Sequence, residues 1–310
     1  MSSRFFFLTS MLSIWVTLDI YAQDPAISSA NLGLTNMQAG RTRPPGWYYI
    51  QYLQSYNSSR RRDRDSRPII GMSQTSSIAA IQQIAYISKK TIADGNPGFT
   101  VLFAAVKTDP GSTPDRVIKV NPNPVSDLVA GPFIQWYDKR LMGKPFSHRL
   151  GINVTIPTGA YDAQFDVNPG GHRFRIFPHY EFTFTPMKIF AVSIKNNFYF
   201  SFNEVGDYNR PAVAYNLNYA FEFKINPQLV IEAAGYYLNQ FGQDKFKGDK
   251  LYYNDTLGIS DTRERVFATG PGVGYSFKKG LAMEIKAMWE MDAKSRAQGF
   301  RGTMVLSYPL

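Results

Sequence analysis

Apolar and polar residues alternate through the C-terminal half of the chain in stretches of about ten residues, each followed by a break. In the last stretch, residues 300–308, the even positions are apolar or small and the odd positions are mostly polar. Side chains on a β-strand point to opposite faces with a period of two, so this stretch predicts a strand with one apolar and one polar face. The stretches exceed the usual strand length of a soluble sandwich, and aromatic residues crowd their apolar faces. This combination is typical of a transmembrane barrel with lipid outside and water inside.

The same alternation predicts about twelve strands along the chain. We therefore expect an all-β fold, a transmembrane antiparallel β-barrel of about 12 strands, with 14 as the alternative count. An even number of strands brings the C-terminus back to the side on which the first strand begins. The expected strands span residues 47–56, 78–88, 99–107, 129–137, 146–156, 172–185, 189–203, 211–225, 228–238, 263–277, 281–290 and 299–308.

The breaks between these strands alternate in length. Most odd-numbered breaks are long, as at 57–77 and 239–262, whereas the last three even-numbered breaks are short turns rich in Pro, Asn, Lys and Gly. Outer-membrane barrels have long external loops and short periplasmic turns. The pattern therefore predicts an outer-membrane protein of a Gram-negative bacterium whose barrel begins and ends on the periplasmic side.

Composition adds three domain-level expectations. The chain has 310 residues, a net charge of +10, 15% aromatic residues and no cysteine, which excludes a lipoprotein anchor and thiolate metal sites. Residues 1–22 resemble a cleaved signal peptide, with Arg4 before an apolar run and the small Ala22 at its end. Residues 23–45 are expected to form an irregular segment, which either plugs the lumen or is a disordered periplasmic tail. Residues 46–310 are expected to form the barrel.

The positive net charge indicates which partners the chain contacts. For an exported barrel, it favours contact with anionic outer-membrane lipid and lipopolysaccharide over nucleic acid.

Charged residues select the face that looks into the lumen. In 211–225, Asn216, Asn218 and Glu222 alternate with Leu217 and Phe221. A cation facing lipid near the midplane costs about 2–4 kcal/mol, so the charged face must point inward. These residues either pair across the lumen and hold the wall or line a substrate path. The expected lumen-lining residues are Arg149, Arg173, Arg175, His179, Glu181, Lys195, Glu222, Lys224, Glu232, Glu284, Lys286, Glu290 and Arg301.

A second candidate site is a group of aromatic residues near the external mouth, which would offer an aromatic surface to an entering substrate. Alternatively, these residues only pack within the aromatic girdle of the barrel and within the loop. The residues are Tyr236, Tyr237, Phe241, Phe246, Tyr252 and Tyr253.

The sequence carries no recognisable catalytic, metal or cofactor motif. The three histidines are His148, His172 and His179, and Ser147 points to the face opposite His148, so it cannot be its nucleophile partner. We therefore expect a non-enzyme. The first alternative to a channel is a structural barrel with a filled lumen. The second, which the sequence favours less, is an outer-membrane lipid-modifying enzyme, which needs a Ser/His pair on one face of a strand.

Short motifs spread along the chain carry a family resemblance. They are 44–48 (PPGWY), 131–133 (GPF), 156–161 (IPTGAY), 200–203 (FSFN), 236–240 (YYLNQ), 270–272 (GPG) and 306–308 (LSY). Over about residues 44–310 the chain resembles the meta-pathway phenol-degradation family of outer-membrane transporters. The resemblance implies transport of aromatic compounds rather than catalysis. We therefore expect a monomeric barrel that takes up small apolar or aromatic compounds passively. As an outer-membrane barrel it should be inserted by the barrel-assembly machinery, although the chain ends Tyr308-Pro309-Leu310 rather than on an aromatic residue.

Overall fold

The computed structural model describes residues 31–40, 43–69, 74–110, 118–206 and 208–310, and the described strands close into a twelve-stranded antiparallel barrel. All twelve expected barrel strands are confirmed, with ends displaced by a few residues. The barrel strands are β1 (Gly46–Arg61), β2 (Thr75–Ile87), β3 (Asn96–Asp109), β4 (Leu128–Leu141), β5 (Lys144–Ile156), β6 (Arg173–Met187), β7 (Phe190–Glu204), β9 (Ala214–Lys224), β10 (Leu229–Gln240), β12 (Arg265–Ser276), β13 (Ala282–Lys294) and β14 (Ala297–Pro309).

Each barrel strand pairs with its neighbours along the chain, and β1 closes the barrel against β14. The closing register places Tyr52 opposite Val305, and on the other side of β1 Gln51 lies opposite Gln82. Closure gives every strand two neighbours, so no row of backbone N–H and C=O groups is left to face lipid. Among the described residues, no helix is long and apolar enough to cross a membrane.

The two ends of the barrel differ as the sequence predicts. At one end, the long-loop end, residues 62–74, 110–127, 157–172, 205–213 and 241–264 connect the strands, and 295–296 form a tight turn. At the other, the short-turn end, the connections are 88–95, 142–143, 188–189, 225–228 and 277–281. Two small elements, β8 (Asn209–Arg210) and β11 (Lys245–Phe246), pair beside the helix α1 (Tyr252–Leu257) at the long-loop end.

Most strands turn their large apolar residues outward. Phe221 is 44% exposed on the outer face, whereas the next residue, Glu222, is buried inside. Phe174, Ile152 and Trp289 are likewise exposed on the outer face. This arrangement agrees with the face assignment made from charge.

Strand β1 departs from this pattern. Its inward face carries the buried Tyr48, Ile50 and Tyr52, while its outward face mixes apolar residues such as Leu53 with the polar Gln51. Gln54 fixes the inward direction, because it is buried and hydrogen-bonds to Thr303 inside the barrel. β1 therefore presents large apolar residues to the lumen as well as to lipid.

Candidate channel lumen

The described residues 31–40 and 43–45, here called the inner segment, lie inside the barrel. The C-terminal end of the segment leads into β1 at the short-turn end of the barrel. There the side-chain amide of Gln135 on β4 donates a 2.7 Å hydrogen bond to the backbone oxygen of Arg43. Further in, the Gly40 N–H donates 3.2 Å to Thr183 Oγ1 on β6, and the Gln38 N–H donates 2.7 Å to a Glu222 oxygen on β9. The segment therefore crosses the lumen from one wall towards another. The predicted signal peptide, 1–22, lies outside the described residues.

Asn36 is the most buried polar residue among the described residues of the inner segment. Its side chain is 1% exposed, and its Nδ2 donates to the backbone oxygens of Gly235, at 2.7 Å, and Tyr219, at 3.0 Å. These two residues are paired across β9 and β10 near the middle of both strands. Asn36 therefore links the inner segment to the middle of the wall.

Two glycines let the inner segment approach the wall closely. A Cβ on residue 40 would lie 2.1 Å from the Cα of Phe182, too short for any real contact. Gly33 has φ +68°, and a Cβ there would meet Met288 Sδ at 2.9 Å. Its N–H donates 2.9 Å to Asn218 Oδ1 on the wall. Glycine is required at both places, by space at Gly40 and by backbone conformation and space at Gly33.

A network of hydrogen bonds and charges centred on Glu290 spans four strands. One carboxylate oxygen accepts a 2.6 Å hydrogen bond from the Tyr236 hydroxyl and the other accepts a 2.8 Å bond from Tyr56. Arg301 donates to Tyr236 at 3.1 Å and to Gln54 at 2.8 Å. Gln54 in turn donates 3.1 Å to a backbone oxygen of the inner segment. The network therefore joins β1, β10, β13 and β14 to the inner segment.

A second ion-pair cluster lies on the opposite wall. Glu181 is 1% exposed and receives Lys195 Nζ at 2.9 Å and Arg149 Nη1 at 3.2 Å. Arg149 also donates 3.0 Å to Gln135. The buried carboxylate is thus compensated by two cations, as a charge removed from water requires.

The remaining expected lumen residues are placed as follows. Lys286 Nζ donates to Glu284 at 2.5 Å and to an inner-segment oxygen at 3.2 Å. Arg173 pairs with Glu204 at 2.9 Å. Arg175, His179 and Glu232 are buried, and Lys224 is exposed near the short-turn end. The ion pairs of Lys286 and Arg173 favour wall pairing for these two residues, and a role in a substrate path stays a prediction for the whole set.

The interior also contains two apolar clusters that the charge-based assignment missed. The first surrounds Leu32 of the inner segment, and all its core members are below 9% exposed; they include Phe177, Tyr199, Tyr236, Leu238, Val266 and Met288. The second lies on the β1 side and consists of Tyr48, Ile50, Tyr52, Ala85, Ile87 and Phe133, with Leu34, Ile81 and Val305 packed against it. The sequence does contain a signal for the second cluster. If Gln54 is taken as an inward-facing polar residue, the period of two along β1 places Tyr52, Ile50 and Tyr48 on the same inward face.

The aromatic residues expected at the external mouth divide into three groups. Phe246 stacks on Tyr252 at 4.3 Å between ring centres, and Tyr253 donates 2.6 Å to Asn209, so these three lie in the long loop. Phe241 is 58% exposed and Tyr237 is half-buried on the outer face. The expectation is wrong for Tyr236, which is fully buried in the lumen, because it shares the inward face of β10 with Glu232.

Ion pairs at the long-loop end hold the loops above the lumen. Arg296 lies 3.2 Å from Glu264 and 3.7 Å from Glu290. Burial raises the pKa of the Glu264 carboxyl above its usual range, and the charge of Arg296 offsets part of this effect. Burial also raises the pKa of Asp261, but hydrogen bonds and charge from Arg263 outweigh it and leave that pKa below its ordinary value.

A cavity of about 420 Å³ opens at the short-turn end. Gln38 of the inner segment, Thr183, Glu222 and Lys224 contribute to its lining, as does the turn at 188–189. It therefore lies next to the part of the inner segment that crosses between β6 and β9.

The three histidines are far from a catalytic arrangement. His148 stacks on Trp136 on the outer face at 4.7 Å, and His172 stacks on Tyr161 in a long loop at 4.2 Å, whereas His179 is buried in the lumen. In the part of the chain that the structure describes, no three His, Asp or Glu side chains come together as metal ligands.

The fold resembles those of solved outer-membrane proteins. An outer-membrane channel from Pseudomonas putida F1 matches with a TM-score of 0.72 at 13% sequence identity, over 87% of this chain and 97% of the channel. The β domain of the Bordetella autotransporter Brka matches with a TM-score of 0.48 at 10% identity, over 86% of this chain and 100% of that domain. The NanC porin matches with a TM-score of 0.44 at 10% identity, over 84% and 100%. No curated protein sequence matches this chain.

The Pseudomonas match shares the fold of this chain over almost its full length, and the closed twelve-strand barrel is of the outer-membrane type found in Gram-negative bacteria. The protein is thus an outer-membrane β-barrel, and its apolar outer face contacts membrane lipid. The sequence resemblance to a phenol-degradation family is confirmed by a family model that matches residues 58–305. The chain therefore belongs to the family described as "Putative MetA-pathway of phenol degradation".

Proposed function

We propose that this protein is a channel for passive uptake of small apolar or aromatic compounds across the outer membrane, and that the inner segment is its plug. The observation that carries the proposal is how the inner segment is held. Its backbone N–H groups bond to wall side chains such as Asn218, Thr183 and Glu222, all of which can bind water instead when the segment leaves. Because the polar side chains of the wall keep hydrogen-bond partners after the plug leaves, the wall can enclose a water-filled path.

The family description supports the substrate class. It links the family to phenol degradation, and degradation of an aromatic compound requires that the compound first cross the outer membrane. We propose that the long loops face outward and the short turns face the periplasm, as in other barrels of this type. The exposed Arg60 and Arg64 at the long-loop end are suited to the anionic groups of lipopolysaccharide.

A second candidate is a structural barrel whose lumen stays filled. The burial of Leu32 and Asn36 against the wall favours this alternative, because both side chains must leave their sites before a path opens. The two candidates differ in one property, which is whether solutes cross the barrel at all.

The experiment that separates them is uptake into liposomes containing the purified full-length mature chain. We expect phenol and benzyl alcohol to enter faster than into liposomes lacking protein, with a smaller gain for glucose. A version lacking residues 23–40 should admit all three faster, because its lumen is unplugged. If both versions leave every solute at the rate of empty liposomes while the barrel is correctly folded, the structural alternative is right.

A further inference from the structure

The core members of both apolar clusters in the lumen are buried, and each core is flanked by half-buried apolar residues. The cluster around Leu32 is the more sealed of the two, because Val129 is its one half-buried neighbour among the described residues. The cluster on β1 has three such neighbours, Leu34, Ile81 and Val305. This cluster, here called the β1 patch, is therefore an apolar surface that is partly open inside the barrel.

The arrangement of β1 indicates that this surface is more than ordinary wall. Most barrel strands keep their large apolar residues on the lipid side, but β1 has apolar residues facing lipid, such as Leu53, and also turns Tyr48, Ile50 and Tyr52 inward. The membrane does not require apolar side chains at these inward positions, so they serve the lumen. Within the described residues, the inner segment covers the patch with the side chain of Leu34, and Arg43 and Pro44 contact its edge at Tyr48.

Polar groups at the edge of the β1 patch match a substituent on an aromatic ring. The Arg149 guanidinium lies 4.4 Å from the ring centre of Phe133, and Arg43 lies 5.1 Å from that of Tyr48. The Tyr52 hydroxyl bonds to Gln83 at 2.7 Å within the same wall. A flat apolar molecule on the patch would thus have donors and acceptors within reach at its edge.

We propose that the β1 patch binds a single-ring aromatic compound with at most one small polar substituent, in the place taken by the Leu34 side chain. Solute binding and seating of the inner segment then compete for one surface. The competition gives the plug a ligand-dependent release, because occupation of the patch removes one of its apolar contacts. The physiological meaning rests on the proposed channel function, whereas the binding itself can be measured without any transport.

The test is phenol binding to the full-length mature chain in detergent by isothermal titration calorimetry. Leu34→Ala vacates the patch and should tighten the apparent affinity about fivefold or more, since the binding-competent fraction rises. Leu32→Ala is the matched control, because it removes the same side chain from the sealed cluster of the same segment. It loosens the segment without vacating the patch and should change phenol affinity less than twofold. Both variants are measured in the same detergent, so the partitioning of phenol into micelles has the same effect on both apparent affinities.

A third variant, Val305→Asn, places an amide on the patch and should abolish saturable phenol binding. Retained folding is checked by heat-dependent mobility on gels. Equal affinities for Leu34→Ala and Leu32→Ala would overturn the competition, and unchanged binding in Val305→Asn would overturn the site. Uptake measured on the same proteins distinguishes this outcome from failure of the channel proposal, because a filled barrel that binds phenol shows binding without transport.

Discussion

The side-chain amide of Asn36 lies 2.7 Å from the backbone oxygen of Gly235 and ties the inner segment to the middle of β10. The same amide also bonds to the oxygen of Tyr219, so one side chain satisfies two carbonyls of the wall. Both bonds lie at a site from which water is almost excluded, where hydrogen bonds are strongest and their loss is most unfavourable.

Asn36→Ala should therefore weaken seating of the inner segment by about 1–3 kcal/mol, the usual effect of removing a buried hydrogen-bond partner. The barrel itself should keep its stability. Limited proteolysis of the detergent-solubilised protein measures the change, and cleavage within 31–45 should accelerate. Thr35→Ala is the control, because Thr35 lies in the same segment and is only half-buried. Equal cleavage rates in both variants would contradict the anchoring role of Asn36.

Tyr236→Phe should destabilise the barrel by about 1–3 kcal/mol, because it removes one buried donor to Glu290 and one hydrogen-bond acceptor of Arg301. Urea unfolding in detergent measures the loss. In a Glu290→Gln background the same change should have a clearly smaller effect, since the charged partner is gone. Additive effects of the two changes would show that the contact carries no energy.

Phe221→Arg should block membrane assembly, because it places a cation on the lipid face at a cost of up to about 2–4 kcal/mol, depending on depth. Lys224→Gln, three residues along the same strand, changes an exposed inward-facing side chain and should assemble normally. Heat-dependent gel mobility of membrane fractions reports assembly. Normal assembly of Phe221→Arg would reverse the assignment of the two faces.

Gln51→Leu should raise the free energy of unfolding by about 1–2 kcal/mol. Gln51 faces outward four residues beyond Trp47, which lies in an aromatic cluster at the short-turn end. At about 3.3 Å per residue, this places its amide roughly 13 Å along the strand from the cluster, well within the hydrocarbon. Unfolding from lipid vesicles measures the gain, and Ile50→Leu on the inward face is the control. A loss of stability in Gln51→Leu would indicate that the amide has a partner in the membrane.

The barrel is predictable from sequence because its signals are local. Period-two alternation marks each strand, and residues such as Pro186 and Asn226 mark the short turns. Charge assigned the inward face wherever a strand contains Glu, Arg or Lys. These features need no knowledge of distant contacts.

The interior was less predictable, for two physical reasons. Between Gly46 and Ser59, β1 has no charged residue, so charge cannot show that Tyr48, Ile50 and Tyr52 turn inward. The position of Tyr236 near a loop predicts a place at the mouth, although alternation from Glu232 places this residue in the lumen. The inner segment has no periodicity, so the partners of Asn36, 183 and 199 residues away, could not be read from its sequence.

The most direct test of whether the inner segment plugs the barrel is the single-channel conductance of Gly40→Val in planar bilayers. A valine side chain cannot fit where a Cβ would lie 2.1 Å from the Cα of Phe182, so the inner segment cannot seat. We predict that Gly40→Val stays open for most of the recording while the unmodified chain stays mostly closed and opens in brief events. A Gly40→Val protein that is folded yet shows the same low open fraction as the unmodified chain would contradict the account of this protein as a plugged channel.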